Sequence, residues 1–185
     1  VELENNPDGT CRAMLDAVLA NTDARLAEGK PVNPAFLVAA LLWHPVRETT
    51  EENLAKGMEP IEAQREAADA IISQAVGHVA IPRRITQVTR EIWGMQPRLE
   101  RRSSGRVARL LDQPRFRAGY DFLLLRAESG EPVGELAEWW TKLQAADEDE
   151  RGRMLGALGG GAGKSKRRRR RRRKPADRDQ PAEKE

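Results

Sequence analysis

Cysteine is almost absent from this chain: Cys11 is the single one in 185 residues. No disulfide framework can form within one copy, and a reducing, cytoplasmic setting is the expectation. Histidine is nearly as scarce. His44 and His78 stand far apart, and no spacing of His and Cys resembles a zinc site. No apolar run approaches the ~18 residues of a membrane span. The first twelve residues are polar and acidic, unlike a secretory leader. The chain opens on Val1 and not on methionine, so a segment of a longer polypeptide is expected. No stretch alternates with period two between hairpin turns, which argues against a sheet. The expectation is an all-α body of several helices.

What the chain has in quantity is charge, unevenly placed. The formal net charge is only +3. Lys164–Lys174 holds ten positive charges, and 175–185 a net of −2, so the first 163 residues carry a net −5. Inside that acidic body, Ile81–Leu125 has ten arginines against four acids. A basic belt in an acidic frame, followed by a basic tail, implies directed attraction to a polyanion.

The helices can be placed by their punctuation. Thr10 is a possible cap for a first helix whose apolar side is Leu15, Val18, Leu19, Thr22 and Leu26, stopping at Gly29. The polar triplet Asn21-Thr22-Asp23 interrupts it, as a locally bonded patch or as a contact surface. Asn33-Pro34 opens a short apolar helix to Trp43, which His44-Pro45 ends or kinks. A charged helix over 46–57 follows. Pro60 begins another, with Ile61, Ala68, Ile72, Ala75 and Val79 as its stripe.

Pro82 then opens the basic belt. Ile85, Val88, Ile92 and Met95 share one face, and Arg83 and Arg90 fall nearly opposite. Pro97 should end this helix after Gln96. Ser103 or Ser104 is the expected cap of a helix carrying Arg106 and Arg109. Pro114 starts a further one, Arg115 to about Glu128, with Phe116, Tyr120, Leu123 and Ala127 inward. After a turn at Gly130–Gly134, Val133, Leu136, Ala137, Trp140 and Leu143 mark another amphipathic helix, and 147–158 adds a weaker one. The expected division is a helical body over 1–158 and a disordered basic tail over 159–185.

Arginine suits phosphate because its guanidinium offers a planar fork of donors. The few aromatics fit core positions, so contact with a phosphate backbone and little reading of bases is expected. The tail residues Lys164, Lys166, Arg167, Arg168, Arg169, Arg170, Arg171, Arg172, Arg173 and Lys174 read as an arm that captures RNA, although a solubilising tail or a nuclear-targeting run has the same composition. The stretch Gly159–Ser165 is not a nucleotide-binding loop, because Leu158 stands where the first glycine is needed. No pair of carboxylates stands out for acid–base work, and no catalytic or metal-binding residue is expected in this chain.

Asn21-Thr22-Asp23-Ala24-Arg25, Val32–Leu37 running to Trp43, Ala80–Arg84, Thr89–Trp93, Arg101-Arg102, Pro114–Ala118 with Tyr120-Asp121, Leu125–Glu128 and Trp139-Trp140 together resemble the C-terminal part of the bacterial poly(A) polymerase I family, in collinear order over about residues 15–175. The resemblance implies a polynucleotide adenylyltransferase that adds AMP from ATP to RNA 3′ ends. It also implies a catalytic head that takes ATP, holds Mg2+ on carboxylates, and carries a Gly-Ser signature and an Asp-x-Asp pair. No Gly-Ser pair occurs here, and the Asp-x-Asp spacings at Asp147–Asp149 and Asp177–Asp179 follow none, so no catalytic residue is carried over. What it implies for these residues is RNA binding by Arg83, Arg84, Arg90, Arg101 and Arg102, to which the spacing adds Arg106 and Arg109. RNA-decay or ribosome-associated proteins are possible partners. A stand-alone helical RNA-binding module and a protein-docking domain are the alternatives.

Overall fold

The computed structural model describes residues 9–158. The basic tail of 159–185 lies outside them. Among the described residues every regular element is helical: α1 (Thr10–Ala27), α2 (Pro34–Leu41), α3 (Trp43–Ala55), α4 (Pro60–His78), α5 (Arg83–Glu100), α6 (Ser104–Leu111), α7 (Phe116–Glu128), α8 (Gly134–Ala145) and α9 (Glu148–Leu158).

The punctuation works through specific bonds. Asn33 Oδ1 accepts from the Ala35 N–H at 3.0 Å and caps α2, with Pro34 at its first position. Pro45 has no N–H, and inside a continuing helix its ring would press on the Leu41 carbonyl. The chain therefore restarts at Trp43, and Pro45 falls in the first turn of α3. Gly29, Gly57 and Gly130 take positive φ at the ends of α1, α3 and α7. At the start of α1, Gly9 is the cap and Thr10 is already helical. Thr22 does not break α1. Its Oγ1 donates to the Val18 carbonyl at 2.7 Å within a continuous helix.

Helix α5 is the hub and packs against α2, α4, α6 and α7. Two apolar clusters share α5 and α7. The first gathers small residues of α2 and α4 (Ala39, Ala40, Ala67, Ala68) around Trp43, Trp93 and Phe122. The second is built on Leu99, Phe116, Tyr120, Leu123 and Trp140. Indole N–H groups enter the core only with acceptors: Trp93 Nε1 donates to the Ala39 carbonyl at 3.1 Å and Trp140 Nε1 to the Leu99 carbonyl at 3.2 Å. Helices α5 and α7 approach closely at Gly119, where a Cβ would come within 2.5 Å of Met95 Cγ.

Two further sequence expectations are corrected. Pro97 does not end α5, which runs through it to Glu100. The missing Pro97 N–H would have served the Trp93 carbonyl, and Gln64 of α4 supplies the donor instead, Nε2 to oxygen at 2.7 Å. The apolar stripes of α1 and α4 are also rotated. Met14 and Val18 are buried on α1 while Leu19 and Leu26 are 52% and 61% exposed. On α4, Ala63, Ala67, Ala68 and Ile72 turn inward, and Ile61 and Val79 face out.

Candidate nucleic-acid interface

Arg83, Arg90, Gly94 and Arg98 of α5, and Arg101 directly after its end, follow at steps of three, four and seven. At 100° per residue they occupy one side of the helix, a strip roughly 27 Å long. The structure divides the belt arginines into two kinds. Some are fastened to acids on neighbouring elements. Arg90 Nε lies 2.6 Å from Asp69 Oδ1, Arg101 Nη2 3.3 Å from Glu59 Oε2, and Arg115 Nε 2.7 Å from Glu91 Oε2. Arg117 pairs with Asp121 one turn along α7. The Arg115 guanidinium, helped by the Gln87 amide, holds the Glu91 carboxyl below the ordinary glutamate range.

The other kind is not neutralised. Arg83, Arg84 and Arg106 are exposed, and their guanidinium groups have no hydrogen-bond or ion-pair partner among the described residues. Arg98 donates only to the neutral Gln113 Oε1, at 3.4 Å, and Arg109 only to the Gly105 carbonyl. Arg102 lies 4.9 Å over the Trp139 ring, which leaves its charge uncompensated. Thus Arg83 and Arg84 mark one end of α5. Arg98 and Arg102 mark the other, followed by Arg106 and Arg109 on α6.

A cleft of about 600 Å³ opens between α4, α5 and the segment joining α6 to α7. Its walls are the Arg90–Asp69 and Arg115–Glu91 pairs, with Arg65 and Arg98 also lining it. A second cleft, of about 580 Å³, lies across Pro114-Arg115 from the first and takes in Asn21, Thr22, Arg25 and Arg117. The polar triplet of α1 is therefore partly a lining, with Thr22 bonded inside its own helix.

Residues 56–174 match the sequence model of the family described as polymerase A arginine-rich C-terminus. The chain belongs to this family. It is 37% identical over 156 residues to poly(A) polymerase I of Escherichia coli O6:H1, covering 83% of this chain and 34% of that protein. With poly(A) polymerase I of Salmonella typhi the values are the same, and with that of Haemophilus influenzae the identity is 36% over 151 residues, or 80% of this chain and 33% of the relative. The chain thus spans about a third of the length of the curated relatives it matches. The arginine-rich C-terminal family match begins at the end of α3 and takes in the whole of α5 with both kinds of arginine.

Sequence reasoning missed one buried site. Arg126 is 7% exposed and Glu131 6%. Arg126 Nε lies 2.8 Å from Glu131 Oε2, and its Nη1 donates to Gln96 Oε1 at 3.1 Å and reaches Glu100 at 3.3 Å. Glu131 Oε1 accepts from Trp43 Nε1 at 2.6 Å, and the guanidinium sits 4.9 Å over the Trp43 ring. The network ties α3, α5 and α7 to the turn before α8. Its one signal in the sequence is a charged residue embedded in the apolar run Phe122–Ala127. Among the described residues no group of three or more His, Cys, Asp or Glu side chains could hold a metal ion. No described helix is long and apolar enough to cross a membrane.

Proposed function

We propose that this chain is the RNA-binding C-terminal portion of a poly(A) polymerase. It grips the phosphate backbone near the 3′ end while a nucleotidyltransferase head, with ATP and Mg2+, transfers AMP. The observation that carries this is the set of uncompensated arginines at both ends of α5 and on α6: Arg83, Arg84, Arg98, Arg102, Arg106 and Arg109. Arg90 and Arg101 contribute after exchanging Asp69 and Glu59 for phosphate. Transfer of a phosphoryl group depends on holding the acceptor in place, so a body that fixes the strand raises the rate without touching the reacting atoms.

The test is RNA binding by the full chain as a function of salt. If all ten charges of Lys164–Lys174 engaged a single strand, the log–log slope would be about −7, and partial engagement gives less. Removing them should flatten the dependence and leave binding through the body. Changing Arg83 and Arg84 to alanine in that shortened chain should then reduce the slope by about 1.4. Equal binding before and after that double change would refute the role of the body. With ATP, magnesium and a primer, this chain by itself should add no adenylates.

A further inference from the structure

We propose that the cleft between α4, α5 and the α6–α7 segment is a seat for a single nucleotide. The base would lie on its apolar floor and the phosphate on Arg65 and Arg98. The inference rests on the RNA-binding reading above and goes beyond it, because backbone contact alone needs no pocket.

The floor carries the argument. Gly94 lies in the middle of α5, where glycine costs about 1 kcal/mol relative to alanine. Gly119 has a steric reason to be glycine, since Met95 blocks a Cβ there. Gly94 has none from the fold: a Cβ at this position would meet nothing within 4 Å. It is nevertheless the one glycine lining the cleft, and it stands between Arg90 and Arg98 on the cationic strip. Gly77, Gly152 and Gly156 are likewise open helical glycines, but only at Gly94 does the bare backbone face the cleft, where a side chain would displace a flat group resting on α5.

The chemistry of the walls agrees. Ile61, Ala68, Met95 and Pro114 give the floor an apolar surface, and Ile61 is 42% exposed with no partner covering it. Gln64 is 5% exposed and spends its Nε2 on the Trp93 carbonyl, so its Oε1 is left to accept; Gln113 spends its Oε1 on Arg98 and keeps its amide N–H groups. An acceptor and a donor facing an apolar floor suit the edge of a base. Arg90 and Arg115 are neutralised by Asp69 and Glu91 as wall pieces, while the Arg65 contact to Glu62 is long, at 3.9 Å, and both its side chain and Arg98 are exposed. That leaves two outward cations at the rim. An acidic peptide would use those cations but has no planar group for the floor.

The experiment compares the full chain with Gly94→Leu, Arg98→Ala and the Arg83→Ala, Arg84→Ala double variant. Ligands are a short oligoadenylate, an abasic oligomer of equal length, AMP and an acidic peptide. Gly94→Leu should fold with an unchanged or higher melting temperature, since leucine is the better helix former. It should bind oligoadenylate about tenfold more weakly, and Arg98→Ala should lose a comparable amount. The abasic oligomer should bind as weakly to the wild type as oligoadenylate binds to Gly94→Leu. Competition by AMP that vanishes in Gly94→Leu would show that the seat also takes a free nucleotide. Undiminished oligoadenylate binding by Gly94→Leu overturns the proposal, and so does abasic or acidic-peptide binding equal to that of oligoadenylate. If only the Arg83, Arg84 variant is weakened, the seat falls and the RNA-binding function stands. If the wild type binds no RNA, that function falls, and AMP binding that is lost in Gly94→Leu keeps the seat while its absence removes it.

Discussion

Arg126 and the pair Arg83-Arg84 put the same side chain to opposite uses. Arg126 is enclosed, stacked on Trp43 and held by Glu131, Gln96 and Glu100. Arg83 and Arg84 open α5 in exposed positions with no acid paired to them among the described residues. A buried charge pair is costly to desolvate, and removing one partner leaves the other stranded. An exposed cation costs almost nothing to keep and remains available to a ligand. The difference teaches that arginine content alone does not locate an anion-binding surface. The neutralised arginines build the body, and the uncompensated ones keep their charge for the surface.

The contrast breaks most easily at its buried end. Arg126→Ala should destabilise the fold by about 3–5 kcal/mol, measured by denaturant unfolding, because Glu131 is left buried and unpaired. Arg126→Met combined with Glu131→Leu should recover most of that loss. A single variant as stable as wild type would show that the pair is not enclosed in solution. Next in size is Gly119→Ala, which forces α7 away from Met95 and should cost about 1–3 kcal/mol in the same measurement.

At the exposed end, Arg83→Ala with Arg84→Ala should move stability by no more than about 0.5 kcal/mol while weakening RNA binding. A large drop in melting temperature would mean that these arginines are structural after all. The smallest effect concerns Glu91. Its folded pKa lies below the ordinary value, so its contribution is present above the unfolded glutamate pKa and is lost as pH falls through the folded one. Arg115→Gln should remove that part of the acid sensitivity, read as a shallower fall of melting temperature between about pH 5 and pH 3. Identical profiles for the variant and the wild type would break the assignment.

How much of this was legible follows from what each residue type signals. Helix ends were readable because Asn33-Pro34, Pro45, Pro60 and the positive-φ glycines act through their own backbones. The inward faces of α1 and α4 were not. On α4 the buried Ala63, Ala67 and Ala68 carry little hydrophobic signal, and on α1 only Met14 and Val18 are buried, while Leu26 and Val79 draw the eye and face outward. Arg90 and Arg101 looked like free cations because Asp69 and Glu59 lie 21 and 42 residues away in sequence. Arg126 was hidden for the converse reason: Gln96 lies 30 residues away, and the only local mark of its burial is the apolar run around it.

The contact from Gln64 to the Trp93 carbonyl has a reach beyond the proline it accommodates. Past that point α5 owes part of its course to a side chain on another element, and Arg98 and Arg101 sit on the portion so governed. The bearing of the far half of the cationic strip is therefore set from α4. A nearly buried glutamine on one helix thus helps set the direction of another's last turn.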